Sequence, residues 1–196
     1  IWSGANVIDI GMTLTGTFNW SQYFLDRKGG VYISASHNPP EYNGFKFANN
    51  FSETLVSEGI QKLRKMLEEE DYEQKEGGSS TFRDIREYYY KDILKRVPLS
   101  RKLKVVIDPS CTTAGAIAPE LLRRAGCEVV EKNCNIDSSF PMGLADPTSS
   151  VVLERLGNEV KVVGADIGFS YDADGDRMGI VDEKGGIIWS DVLLEL

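Results

Sequence analysis

The chain has 196 residues, 41% hydrophobic and 27% charged, which excludes a disordered or fibrous class and supplies apolar material for one large or two small cores. With 30 acidic against 22 basic side chains the net charge is −8, so the overall field repels phosphodiester backbones and anionic lipid, excluding nucleic acid and membrane as partners. A small phosphorylated molecule stays open, because a local group of Arg, Lys and a divalent cation overrides net charge at one pocket.

In chain order, Gly29-Gly30 closes a first segment and Val31-Tyr32-Ile33-Ser34 reads as a short buried strand. The turn Ser34-Ala35-Ser36-His37-Asn38-Pro39 then lies at its carboxyl end, the usual ligand face of α/β sheets. Phe45-Lys46-Phe47 alternates, which aims Lys46 either at a site or at water. Ser57 is the expected N-cap of a helix with Ile60, Leu63 and Leu67 at helical spacing, and Arg64, Lys65, Glu68 and Glu69 on its solvated face. Asp71 to Thr81, charged and containing Gly77-Gly78-Ser79-Ser80, is expected to be the most flexible stretch.

A helix over Arg83 to Arg96 follows, and Pro98 marks a domain boundary before the strand Leu103-Lys104-Val105-Val106-Ile107-Asp108. A helix over Ala114 to Arg124 ends at Gly126 as C′ residue, and Cys127-Glu128-Val129-Val130 resumes strand. Another helix near Ser150 to Leu156 leads to the strand Ala165-Asp166-Ile167-Gly168-Phe169-Ser170, with an acidic cluster on its end. The alternation predicts an α/β class: two consecutive domains with mixed sheets sandwiched by helices. Cys111, Cys127 and Cys134 are odd in number and lack Cys-x-x-Cys spacing, so reduced thiols in a cytoplasmic protein are expected, without disulfide framework or zinc site. No run approaches the roughly 20 apolar residues of a membrane span and no signal-peptide pattern opens the chain. It begins at Ile1 and stops at Glu195-Leu196 within a helix signal, which reads as a piece of a longer protein.

Asp172, Asp174 and Asp176 are spaced two apart, so an extended segment points all three carboxylates to one face. They repel one another unless a cation neutralises them, and three oxygens leave an octahedral Mg²⁺ open to water and a phosphate oxygen. Gly175 lets the chain bend, and Arg177 can donate twice to the same phosphate. A calcium-binding EF-hand is the sharper rival, with Asp172, Asp174, Asp176 and Glu183 at its first, third, fifth and twelfth positions. It fails because Arg177 replaces its glycine and because Ile167 to Tyr171 and Met178 to Val181 read as strands. Ser36 is a weak nucleophile beside the only histidine, His37, yet a Gly-x-Ser-x-Gly elbow is absent. By itself that turn is equally a cap, with Ser36 and Asn38 bonding locally before Pro39-Pro40.

The run Ser34-Ala35-Ser36-His37-Asn38-Pro39-Pro40-Glu41-Tyr42-Asn43-Gly44-Phe45-Lys46-Phe47 resembles the phosphoserine loop of the α-D-phosphohexomutases, the phosphomannomutase/phosphoglucomutase superfamily. Asp172 to Arg177 resembles that family's metal loop, and Val105-Val106-Ile107-Asp108 with Gly115-Ala116-Ile117-Ala118-Pro119 resembles the start of its second domain. The resemblance implies a partial first domain over residues 1–98, a second over 99–190, and the start of a third over 191–196. It implies a mutase moving a phosphoryl group between the 1- and 6-positions of a hexose, through a phosphoserine and a bisphosphorylated intermediate. Ser36 would carry the phosphoryl group, and Mg²⁺ held by Asp172, Asp174 and Asp176 would also touch Ser36. Lys46, a candidate general acid/base, and Arg177 would share the electrostatic work, with His37 orienting the loop. Departures are Ala173 for a common glycine, Pro109-Ser110-Cys111-Thr112 for an Asn-Gly turn, and Thr15-Gly16 for Thr-Pro. Two other classes are a phosphatase with Asp172 as nucleophile and a non-catalytic degenerate mutase domain. Which hexose phosphate is bound, and the oligomeric state, are not set by these residues.

Overall fold

A computed structural model describes residues 1–195. The first half holds β1 (Val7–Asp9), α1 (Thr15–Phe24), β2 (Gly29–Ile33), β3 (Phe45–Asn49), β4 (Glu53–Thr54), α2 (Ser57–Glu68), β5 (Ser80–Phe82) and α3 (Arg86–Arg96). The second holds β6 (Lys104–Asp108), a 3₁₀ turn at Thr113–Ala116, α4 (Ala118–Arg124), β7 (Glu128–Glu131), α5 (Ser150–Val163), β8 (Ile167–Tyr171), β9 (Met178–Asp182), β10 (Ile187–Ile188) and α6 (Ser190–Leu193). The expected helix at the chain end is the short α6, and Leu196 lies outside the described residues.

The second half is a five-stranded mixed sheet of order β10-β9-β8-β6-β7, in which β7, β6 and β8 are parallel and β9 and β10 antiparallel. Its interior strand β6 is apolar without alternation over Val105 to Ile107, because both faces are covered. Val106 packs with Leu153, Leu156 and Val160 of α5, while Val105 and Ile107 pack with Ala118 and Cys127 on the α4 side. Each such fully buried aliphatic side chain contributes about 2 kcal/mol. The crossovers from β6 to β7 and from β7 to β8 thus place helices on opposite faces, which opens a crevice at the strand carboxyl ends, where Asp108 and the 172–177 loop emerge. Gly126 at +96° does follow α4 as C′ residue.

In the first half β2, β3 and β4 form an antiparallel sheet and β1 pairs in parallel with β5. Three sequence expectations are corrected here. The strand ending at Ser34 is not buried: Gly30 and Tyr32 lie against Phe18 of α1, but Val31 and Ile33 alternate to the other side and are more than half exposed. Ser57 is the first residue of α2 and makes no side-chain cap bond; Val56 stands at the N-cap, and Met66 rather than exposed Leu67 joins Ile60 and Leu63 on the inner face. The stretch Asp71 to Thr81 is partly sheet, since Ser80 and Thr81 pair with Val7 and Ile8 and Ser3 bridges Lys75. The helix before Pro98 ends at Arg96 as read but begins at Arg86, three residues later than expected, and Trp20 of α1 donates to its Asp92 at 2.9 Å.

β8 carries the acidic loop, and it approaches α5 closely because residue 168 is glycine: a Cβ there would lie 2.7 Å from Val160 Cγ2 and 2.8 Å from Val181 Cγ2. Gly168→Ala is expected to destabilise the protein by about 1–3 kcal/mol through overpacking, read as a lower midpoint in urea unfolding; an unchanged midpoint would show that the sheet and α5 are loosely apposed.

Candidate functional site

The loop after β2 is closed at its base, where Ser34 N–H donates to Gly44 O at 3.0 Å, and a Cβ on residue 44 would lie 2.8 Å from the Ser34 carbonyl. Within it Asn38 makes the local cap, its N–H and Nδ2 both donating to Ala35 O. Ser36 does not cap: it sits at a φ of 53°, left-handed for a non-glycine residue, and its hydroxyl is turned away from the loop backbone. Holding that conformation costs on the order of 1 kcal/mol, so the surroundings must fix it.

What they fix it toward is the acidic loop, 136 positions on, where Ser36 Oγ donates to Asp172 Oδ2 at 3.0 Å. His37 Nδ1 lies 3.2 Å from the same hydroxyl and 3.0 Å from Arg177 Nη1. Arginine only donates, so Nδ1 is an acceptor and the Ser36 proton is left for Asp172. Lys46 points at the site, not at water, with its ammonium 2.7 Å from Asp174 Oδ2 and from Asp176 Oδ2, and 3.4 Å from Thr15 Oγ1. The structure therefore brings Ser36, His37, Lys46, Asp172, Asp174, Asp176 and Arg177 to one place.

Residues 172–177 form a tight turn, not the extended segment read from the two-residue spacing. Asp172 Oδ1 accepts the N–H groups of Asp176 and Arg177, Gly175 N–H donates to Asp172 O, and Gly175 takes a φ of 67°. Convergence is preserved, since one oxygen from each of Asp172, Asp174 and Asp176 lies within 4.8 Å of the others. Burial, with the charges of Asp174 and Asp176 adding to it, pushes Asp172 up to about 6 despite N–H donation from Arg177. Burial would lower the Lys46 ammonium, but bonds and charge from Asp174 and Asp176 more than offset it and hold Lys46 above its ordinary value. Asp176 is depressed, because contact with Lys46 outweighs its burial. The flanks of the turn are β8 and β9, so the helices of an EF-hand are not there.

The chemistry of this donor set suits a hard divalent cation. Asp174 Oδ1 is buried without a hydrogen-bond partner, an arrangement that is costly unless a cation or water completes it. An adjoining cavity of about 270 Å³ is lined by the Ser36 loop, Cys111 to Thr113, Ile136 to Ser138, Ala173 and Asp174, so both halves of the chain contribute walls.

Sequence reasoning missed the residues beneath the site. Thr15 N–H donates to Asp174 O at 3.0 Å, Tyr32 donates to Thr13 O at 2.6 Å under the carboxylates, and Leu14 would meet any Cβ on Gly175 at 2.8 Å. Ser34 was present in the motif without a role; its hydroxyl donates to Asp174 Oδ2 at 2.7 Å and accepts the Ser36 N–H at 2.9 Å. Its two-residue offset from Ser36 was the available signal.

The site thus places a serine hydroxyl on a three-carboxylate cluster that could hold a metal ion, at a sheet switch point. Residues 1–74 match the family described as phosphoglucomutase/phosphomannomutase alpha/beta/alpha domain I, and residues 87–186 match its alpha/beta/alpha domain II. The chain belongs to the phosphoglucomutase/phosphomannomutase family. A phosphomannomutase/phosphoglucomutase of Pseudomonas putida is 40% identical over 99% of this chain, and a phosphoglucomutase of Neisseria meningitidis 36% identical over 99%. A crystal structure of a phosphoglucomutase/phosphomannomutase family protein from Burkholderia thailandensis superposes with a TM-score of 0.89 at 33% identity, over 97% of this chain and 43% of that one. The chain spans 42% of the length of each of the two named relatives.

A carboxyl group must shed its proton before it ligates, so with Asp172 pushed up to about 6, protons are expected to compete with any cation at this cluster below about pH 6. Affinity for Mn²⁺ or Mg²⁺ is expected to be level above that pH and to fall by up to about tenfold per unit below it. Calorimetric titrations across pH 5 to 8 check this, and an affinity indifferent to pH would remove Asp172 from the ligand set.

Proposed function

We propose that this chain carries the phosphoserine and cation loops of a hexose-phosphate mutase, which moves a phosphoryl group between the 1- and 6-hydroxyls of a hexose through a hexose 1,6-bisphosphate. The observation that carries this reading is the Ser36 hydroxyl 3.0 Å from Asp172, within a three-carboxylate cluster in which Asp172 and Asp174 are buried and Asp174 Oδ1 has no partner. Asp172, Asp174 and Asp176 would hold Mg²⁺, which when bound supplies positive charge to the transferring phosphoryl oxygens.

In the forward half, the P–O bond to Ser36 Oγ breaks as a P–O bond forms to the sugar hydroxyl, whose proton leaves to a base. Ser36 Oγ then regains a proton, and the return half reverses this with the other phosphate of the bisphosphate. In the structure the Ser36 hydroxyl proton is directed at Asp172, because Arg177 occupies His37 Nδ1. Lys46, held protonated by two carboxylates, is suited to act as acid or as fixed positive charge before it acts as base. Arg177 is half-exposed beside Ser36 and is placed to reach a phosphate. The reading of Asp172 as a phosphatase nucleophile is disfavoured, since it is fully buried and both its oxygens already accept hydrogen bonds.

The domain division follows the same reading: a first domain over 1–98, a second over 99–190 and the start of a third over 191–196. Three free thiols suit a reducing, cytoplasmic setting, and no described helix is long and apolar enough to cross a membrane. The substrate class is a phosphorylated hexose.

Phosphosite mass spectrometry on the full-length protein, incubated with Mg²⁺ and a hexose 1,6-bisphosphate, is expected to find an acid-stable phosphate on Ser36. Ser36→Ala is expected to lose that phosphate and at least about 1,000-fold in turnover, and Asp174→Asn to reduce both. A folded, cation-binding protein with Ser36 unmodified, or with a trapped phosphoaspartate, would overturn the proposal.

A further inference from the structure

Ser36 and Asp174 belong to separate halves of the chain, and one side chain touches both. Ser34 Oγ donates its single proton to Asp174 Oδ2 at 2.7 Å and accepts the Ser36 N–H at 2.9 Å. A hydroxyl does both through one atom, which an aliphatic side chain cannot do and a thiol does only weakly. From this geometry we infer that Ser34 is a positioning residue for phosphoryl transfer, which sets the orientation of Ser36 and of the cation-facing oxygen of Asp174 together.

Two consequences of the contact support the role. First, Ser36 holds a left-handed φ of 53°, and the bond from its N–H to Ser34 Oγ restrains that conformation from within the loop. Second, Ser34 and Lys46 both bond to Asp174 Oδ2, so the carboxylate is pinned by one oxygen and Oδ1 is left buried without a partner. That oxygen is the one available to a cation. Without the hydroxyl, Asp174 rotates about its last torsion and Ser36 loses its restraint, so both partners of the transfer drift. A misplacement of about 1 Å at a reacting group costs up to about 100-fold in rate.

The inference rests on the mutase reading, and the test separates the two. Full-length wild type, Ser34→Thr, Ser34→Val and Ser34→Ala are compared for Ser36 phosphate after incubation with hexose 1,6-bisphosphate and Mg²⁺, for kcat and KM of hexose-phosphate interconversion, and for Mg²⁺ affinity. Threonine and valine have the same shape and differ in the hydroxyl. Ser34→Thr is expected to stay within a few-fold of wild type. Ser34→Val is expected to lose about ten- to 100-fold in kcat with KM little changed, and to bind Mg²⁺ more weakly. Ser34→Ala, which adds no bulk, is expected to follow valine and keeps the test decisive should valine fail to fold. Valine or alanine matching threonine in kcat, with wild-type Ser36 phosphorylated, would overturn the role of Ser34 and leave the mutase reading standing. Wild-type Ser36 without phosphate would overturn the mutase reading, and this inference with it.

Discussion

Three carboxylates with oxygens within 4.8 Å of one another, two of them on buried residues, repel by about 3 kcal/mol or more per pair at an effective dielectric of ~20. The rest of the site answers that repulsion. Lys46 arrives from β3 and bonds to Asp174 and Asp176, the N–H groups of Asp176 and Arg177 turn inward onto Asp172, and the hydroxyls of Ser34 and Ser36 donate to Asp174 and Asp172. One carboxylate oxygen, Asp174 Oδ1, still has no partner. A protein does not keep such a charge cluster for stability, because well-packed apolar residues would serve better there.

The cluster also explains why the two halves meet as they do. The acidic turn is built wholly by the second half, between β8 and β9, and β8 is set by its close packing on α5 through Gly168. The side chains that compensate it, Lys46, Ser34 and Ser36, come from the first half, as does the Thr15 N–H that holds the Asp174 carbonyl. Electrostatic complementarity across that junction places the serine on the carboxylate cluster, and the cavity beside it has walls from both sides. The chemistry thus depends on the register between two units more than on the interior of either.

Much of this was legible in the residues. The unbroken apolar run of β6 announces a strand buried on both faces, and the alternation of strand and helix signals gives the class. The acidic cluster is visible because like charges at short spacing demand a reason. Other features were hidden for identifiable causes. The two-residue spacing of the aspartates suggested an extended segment, whereas Gly175 at φ 67° and the N–H bonds to Asp172 make a turn with the same convergence. The exposure of Val31 and Ile33 cannot be read from an apolar strand, since it depends on what lies over the other sheet face. The strand at Ser80 and Thr81 escaped notice because its partner is β1, more than 70 residues away. Ser110 and Cys111 were noted as replacing an Asn-Gly turn, and both do take left-handed φ values, 53° and 65°, at the crevice. Ser34, Thr15 and Tyr32 were hidden because their roles are bonds to residues far off in the chain.

The central claim is that the 172–176 carboxylates hold a divalent cation beside Ser36. Anomalous-scattering density from crystals of the full-length protein grown with Mn²⁺ tests it most directly. The account predicts one strong peak about 2.2 Å from an oxygen of each of Asp172, Asp174 and Asp176, with Lys46 displaced from at least one of its carboxylates. A map with no peak there, and Lys46 still seated on Asp174 and Asp176, would contradict it.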